Sequence, residues 1–191
     1  MGLLDSMAGL VGVVASGAGR VAGLATTTLA APVKYAGDFV SSAVNHIVRD
    51  SVDMPVEGSV VKHYLLGAEH TGIYVGNGEI VHWTSDSLVE KCPSPEEFKS
   101  GDSAALALSV YVSCQGTEPV GSREAAKYAL SKVGEGAKER GEYKKATNNC
   151  HMFVIECLTG KKCEESFRLT EPSEYCRKYL GADNWRVWKD T

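Results

Sequence analysis

The pattern of apolar and polar positions divides the chain near residue 50. Between Met7 and Val33 runs a Gly-, Ala- and Val-rich stretch whose one charged residue is Arg20. Pro32 and Gly37 punctuate it, and a helix over residues 37–48 is expected to follow. From Pro55 the chain becomes β-rich. Residues 58–66, GSVVKHYLL, read as a strand. Residues 70–75, HTGIYV, and 79–84, EIVHWT, read as two more strands around Gly76-Asn77-Gly78, a strong hairpin signal. A further strand is expected over Ala104–Val112. Residues 122–133, SREAAKYALSKV, carry an amphipathic helical pattern with Ser122 as N-cap and Gly134 as terminator. The apolar residues after Asn149 suit a buried helix ended by Gly160.

The hairpin carries one histidine on each strand, His70 and His82. Its register decides whether they share a face. A two-residue Asn77-Gly78 turn pairs Gly76 with Glu79 and Ile73 with His82, which sends His70 to the opposite face. A three-residue loop pairs Val75 with Glu79 and sets Gly72 opposite His82. His70 then lies diagonal to His82 on one face, with open space expected beside Gly72. If both histidines serve one site, the second register or an equivalent bulge is required.

Asn149 is a natural N-cap, which puts Cys150 in the first turn of the helix that follows. There the helix dipole and the unpaired backbone N–H groups favour an anion and lower a thiol pKa. The same N–H groups could stabilise an oxyanion. A cysteine so placed, with a histidine nearby, forms a nucleophile–base pair. Cys157, seven residues on, reads as a structural thiol.

Composition narrows the class. The chain has 191 residues, 43% hydrophobic and 23% charged, with a net charge of −4. These values suit a globular domain with a core and exclude a wholly disordered chain. No basic excess exists to drive nucleic-acid binding. The six cysteines are Cys92, Cys114, Cys150, Cys157, Cys163 and Cys176, with no CxxC pair. They read as mostly free thiols in a reducing compartment, and no metal-ligand spacing or cofactor loop is visible.

Two readings of residues 1–50 stay open: a membrane-associating segment, or a tail packed on the domain or mobile. Small residues recur four apart at Ala8, Gly12 and Ser16, a spacing that permits close helix approach in lipid. Met1-Gly2-Leu3-Leu4-Asp5-Ser6 fits the N-myristoylation pattern, with Gly2 as acceptor. One such chain anchors marginally, so the apolar stretch would be the second anchor. Asp5 and the lack of an early Lys or Arg disfavour a secretory signal.

The hairpin HTGIYVGNGEIVHW and the box NNCHMFV resemble those of the lecithin:retinol acyltransferase-like proteins, grouped with the circularly permuted NlpC/P60 papain-like enzymes. The resemblance covers roughly residues 55–160. It includes the His70-to-His82 spacing, the helix from Ala126 to Gly134, the approach through Tyr143 and the order His, His, Cys. The family box usually reads Asn-Cys-Glu-His-Phe. Here His151 and Met152 follow Cys150, which displaces the polar pair. His151 is not expected to be the base, because a neighbouring helix position points it away from Cys150.

The resemblance implies an α+β domain over residues 51–191, a small antiparallel sheet packed on a helix that starts at the catalytic cysteine. It implies Cys150 as nucleophile, His70 as general base and His82 as the third polar group. It implies a thioester intermediate, a glycerophospholipid as acyl donor, and an acceptor that is an alcohol, an amine or water. No cofactor or metal is implied. Location on the cytoplasmic side of a membrane is the matching expectation, and Trp185 and Trp188 are expected to cover the core rather than touch lipid. The rival readings are a cysteine peptidase or amidase of the NlpC/P60 group and a non-catalytic membrane-targeting module.

Overall fold

Asn77 and Gly78 have φ of 54° and 81°. Positive φ at both central residues is what a two-residue type I′ hairpin turn demands. The structure, a computed structural model, describes residues 51–65, 68–100, 109–144, 149–162, 172–189 and 191. Among them the turn joins β3 (Ala68–Gly76) to β4 (Glu79–Trp83). Gly76 pairs with Glu79, as the two-residue turn requires. Tyr74 then pairs with Ile80, Ile73 with Val81 and Gly72 with His82. The register shifts between Tyr74 and Gly76, so Val75 is the extra residue of a bulge. Each of the two alternative registers is correct on its own side of Val75. The bulge restores His70 and His82 to one face.

The remaining elements are β1 (Ser51–Val52), β2 (Val60–Leu65), β5 (Val89–Cys92), α1 (Pro95–Ser100), β6 (Tyr111–Gln115), β7 (Glu118–Pro119), α2 (Arg123–Ser131), α3 (Ala137–Arg140), α4 (Cys150–Thr159), α5 (Pro172–Leu180) and β8 (Asn184–Trp188). Among the described residues the strands form one eight-stranded sheet in the order β1-β8-β6-β2-β3-β4-β5, with β7 paired to β6 beside that path. The pair β1–β8 is parallel and the other pairs are antiparallel. The fold is α+β with a mixed sheet, wider than the small antiparallel one expected. The difference lies in the C-terminal residues. Asn184–Trp188 enters the sheet between β1 and β6, with Val187 opposite Tyr111.

Side-chain alternation splits the core into two layers. On one face Val60, Ile73, Val81 and Trp83 pack against Ala125, Ala126 and Ala129 of α2 and Phe153, Val154 and Cys157 of α4. On the other, Val61, Tyr74, Ile80, Cys92 and Val112 meet Phe98 of α1 and Trp188. Trp188 therefore covers the core, and Trp185 packs partly buried against the first layer.

Helix α2 is capped as expected, with the Ser122 hydroxyl accepting the Ala125 N–H at 3.3 Å. Strand β6 lies later than anticipated. It runs from Tyr111 to Gln115, because a turn at Gly116 and Thr117 folds β7 back onto it. Residues 104–108 lie outside the described residues, as do the expected 37–48 helix, Gly2 and the whole 1–50 segment. Among the described residues no helix is long and apolar enough to cross a membrane.

Candidate active site

Strand pairing assembles a histidine cluster on one face of the sheet. His63 of β2 lies directly opposite His70 of β3, and Gly72, two residues on, lies opposite His82 of β4. The His70 Nε2 and His82 Nδ1 atoms are 2.7 Å apart. The Phe98 ring touches all three imidazoles, with centroid distances of 4.8 Å to His63, 5.2 Å to His70 and 5.3 Å to His82. Gly72 is what allows the histidines to meet, though by close approach rather than by open space. A methyl group there would lie 2.7 Å from Ile80 Cγ2, 3.0 Å from the Val81 carbonyl oxygen and 3.2 Å from His82 Cβ.

Burial first, then the charges of His70 and His63, push His82 down to about 3. Burial first, then the charge of His70, push His63 down to about 3. Both rings are therefore neutral at neutral pH. When His70 is protonated on both nitrogens, its Nε2–H donates to His82 Nδ1, which leaves its Nδ1–H for another partner.

These shifts fix a sign for acid stability. An unfolded chain protonates His63 and His82 as pH falls through 6.5, whereas the folded chain resists until about 3. In that window the unfolded state binds more protons, so stability falls as pH falls. The expected loss between pH 6.5 and 5 is about 3 kcal/mol for the two residues together. Urea midpoints at the two pH values measure it. His63→Phe should flatten the dependence, and equal midpoints for the unsubstituted chain would refute the assignment.

The thiol reaches the sheet at the start of β3. Asn149 caps α4, its side-chain oxygen accepting the His151 N–H at 3.0 Å and the Met152 N–H at 3.2 Å. Cys150, the first helical residue, is 2% exposed. Its sulfur lies 4.0 Å from the Glu69 carbonyl oxygen. Burial works to raise this thiol. The charge and side-chain hydrogen bond of His70 outweigh it, with help from the His151 charge and a hydrogen bond from Tyr143, and bring the thiol down to about 6. The other described cysteines behave oppositely. Burial pushes Cys92 and Cys176 up to about 12, Cys114 up to about 11 and Cys157 well above the ordinary value. All of these are free thiols, and Cys163 lies outside the described residues. Cys150 is thus the one described cysteine poised as a thiolate near neutral pH.

The site residues expected from the sequence therefore converge: Cys150 with His70, and His70 with His82. Three neighbours had been given no role. Tyr143 donates its hydroxyl to the Cys150 sulfur at 3.6 Å, its ring set against Trp83. His63 completes the histidine cluster. Glu69 presents its carbonyl to the thiol. No local pattern distinguishes His63 or Glu69, because both gain their place through strand pairing. His151 departs from expectation. Its Nε2 lies 3.2 Å from the same Glu69 carbonyl oxygen that the Cys150 sulfur approaches, so the two side chains converge rather than diverge. Among the described residues no cluster of His, Cys, Asp or Glu is arranged to hold a metal ion.

A family model described as lecithin retinol acyltransferase matches residues 53–163. The chain belongs to this family. The match spans β2 to α4 and so contains every residue of the histidine–cysteine cluster. No curated protein matches the chain. Membership in the lecithin retinol acyltransferase family points to acyltransferase- or phospholipase-type activity, and an α+β domain with a mixed sheet is compatible with it.

Proposed function

We propose that the chain is a thiol-dependent acyltransferase or phospholipase A that takes an acyl group from a glycerophospholipid through a thioester on Cys150. The observation that carries this reading is the depressed Cys150 thiol facing His70, with His82 hydrogen-bonded behind. This is the nucleophile–base–orienter order of a catalytic triad. The domain over residues 51–191 is the catalytic unit, in the permuted NlpC/P60 arrangement. Residues 1–50 are a membrane-associating segment, with Gly2 as a myristoyl acceptor, and the site of action is the cytoplasmic side of a membrane.

In the first half-reaction the Cys150 sulfur attacks the ester carbonyl carbon and a C–S bond forms. The ester C–O bond breaks, and the leaving alkoxide takes the proton from His70. In the second, an alcohol, an amine or water attacks the thioester carbon and gives its proton to His70. The C–S bond then breaks with its electron pair on sulfur. The oxyanion of each tetrahedral intermediate needs donors. Asn149 already occupies the His151 and Met152 N–H groups. The Cys150 N–H and the Tyr143 hydroxyl take that role.

Intact protein mass after incubation with mixed phospholipid vesicles tests the reading. The expected result is a gain of one fatty acyl group, removed by hydroxylamine and absent from Cys150→Ala. Absence of both an adduct and released fatty acid, with Cys150 still alkylating fast, would overturn it in favour of an amide substrate.

A further inference from the structure

Glu69 sits immediately before His70 and serves a second imidazole. Its Oε2 accepts a hydrogen bond from Lys62 Nζ at 2.8 Å. Its Oε1 lies 3.8 Å from His151 Nε2, and its carbonyl oxygen lies 3.2 Å from the same nitrogen. Both neighbours of that nitrogen are acceptors, so Nε2 carries a proton. Lys62 is buried at 5% exposure, its ammonium 4.2 Å from the Trp185 ring centroid and 5.2 Å from that of Tyr64. A buried cation thus fixes the carboxylate, and the carboxylate together with the main chain fixes the His151 ring. The Cys150 sulfur approaches the same carbonyl from the preceding residue of the helix.

We propose that His151, anchored on Glu69 and through it on Lys62, is a second positioning imidazole that stabilises the Cys150 thiolate from the helix side, independently of His70. The groups facing this thiol are His70 and Glu69 from β3, His151 from its own helix and Tyr143 from the segment before it. His82 stands behind His70 and Lys62 behind Glu69. Of these, His70 and His151 can place positive charge beside the sulfur. They differ in duty. In each half-reaction His70 exchanges its proton with the substrate, whereas the His151 Nε2–H points to the Glu69 main-chain carbonyl, 3.2 Å away, and takes no part in the exchange. It therefore stabilises sulfur both as attacking nucleophile and as leaving group when the thioester C–S bond breaks.

The proposal rests on Cys150 being the nucleophile of the proposed function, and its test reads the thiol without any lipid. The full chain is alkylated with iodoacetamide over a range of pH, and the Cys150 peptide is quantified by mass. His151→Gln should raise the pH midpoint by about one unit and slow alkylation at pH 6 about fivefold. His151→Lys, which restores the charge, should keep the midpoint near its original value. An unchanged midpoint in His151→Gln, or an equal rise in His151→Lys, would overturn the proposal. A shifted midpoint with no acyl adduct from vesicles would instead overturn the acyltransferase reading and leave the role of His151 standing.

Discussion

Cys150→Ser should lower turnover on phospholipid by a factor of about 10⁴ or more while leaving the unfolding midpoint within about 1 kcal/mol of the original. The chemical argument is the difference in ionisation. The Cys150 thiol is brought down to about 6 by His70, His151 and Tyr143 acting against burial, so a large fraction is thiolate at neutral pH. A serine hydroxyl in the same cage stays protonated, and one neutral imidazole must then remove its proton during attack. The structural argument is the near-equal size of the two side chains. Cys150 is buried at the first turn of α4, whose cap is made by Asn149 and does not involve the sulfur. Steady-state product formation and urea denaturation measure the two halves of the expectation. Full activity in the serine variant would remove Cys150 from the mechanism. A large loss of stability would mean that the sulfur also holds the helix end in place.

Arg140→Ala should cost about 3–5 kcal/mol of stability. The Arg140 and Glu156 side chains are each 4% exposed and form an ion pair through Nη2 and Oε2. Arg140 also reaches Glu135 at 3.1 Å, and its guanidinium lies 4.8 Å from the Trp83 ring centroid and 5.1 Å from that of Phe153. Glu156 belongs to the helix that begins at Cys150, so the pair ties α3 to α4 against Trp83 and Phe153 of the first core layer. Truncating Arg140 leaves a buried carboxylate whose nearest compensation is the Tyr128 hydroxyl at 2.8 Å. It also strips packing from two aromatic rings. Removing both charges together should hurt less. Arg140→Met combined with Glu156→Leu should recover most of the loss, because the desolvation cost of the pair disappears with it. Urea midpoints of the single and double variants decide this. A cost below about 1 kcal/mol for Arg140→Ala would show that water reaches Glu156 and that the pair contributes little.

The parts of this protein that could be read along the chain are those held by short-range physics. Asn149, Cys150 and Gly160 define helix α4, because a cap, a first turn and a stop are decided within about ten residues. Asn77-Gly78 defines a hairpin because the turn needs positive φ at both positions. The hairpin and the Cys150 box together carried the family resemblance, and the family model agrees with it. The bulge at Val75 could not be read, because it depends on which residues of β4 can be buried against both neighbouring strands. The same limit applied to β8, which pairs with β1 across more than a hundred positions and with β6 across about seventy. His63, Glu69, Lys62 and Arg140 have unremarkable sequence neighbours and gain their partners across strands or helices. His151 was expected to point away by helical spacing alone. Helical spacing says nothing of the strand that lies against the helix, and the Glu69 carbonyl draws both His151 and Cys150 to one point. The sequence by itself determined the family and brought forward Cys150, His70 and His82 as candidates, since these depend on residue type and local geometry. Tertiary structure alone decided which charges surround the thiol, since electrostatic coupling acts through space between residues that the chain keeps far apart.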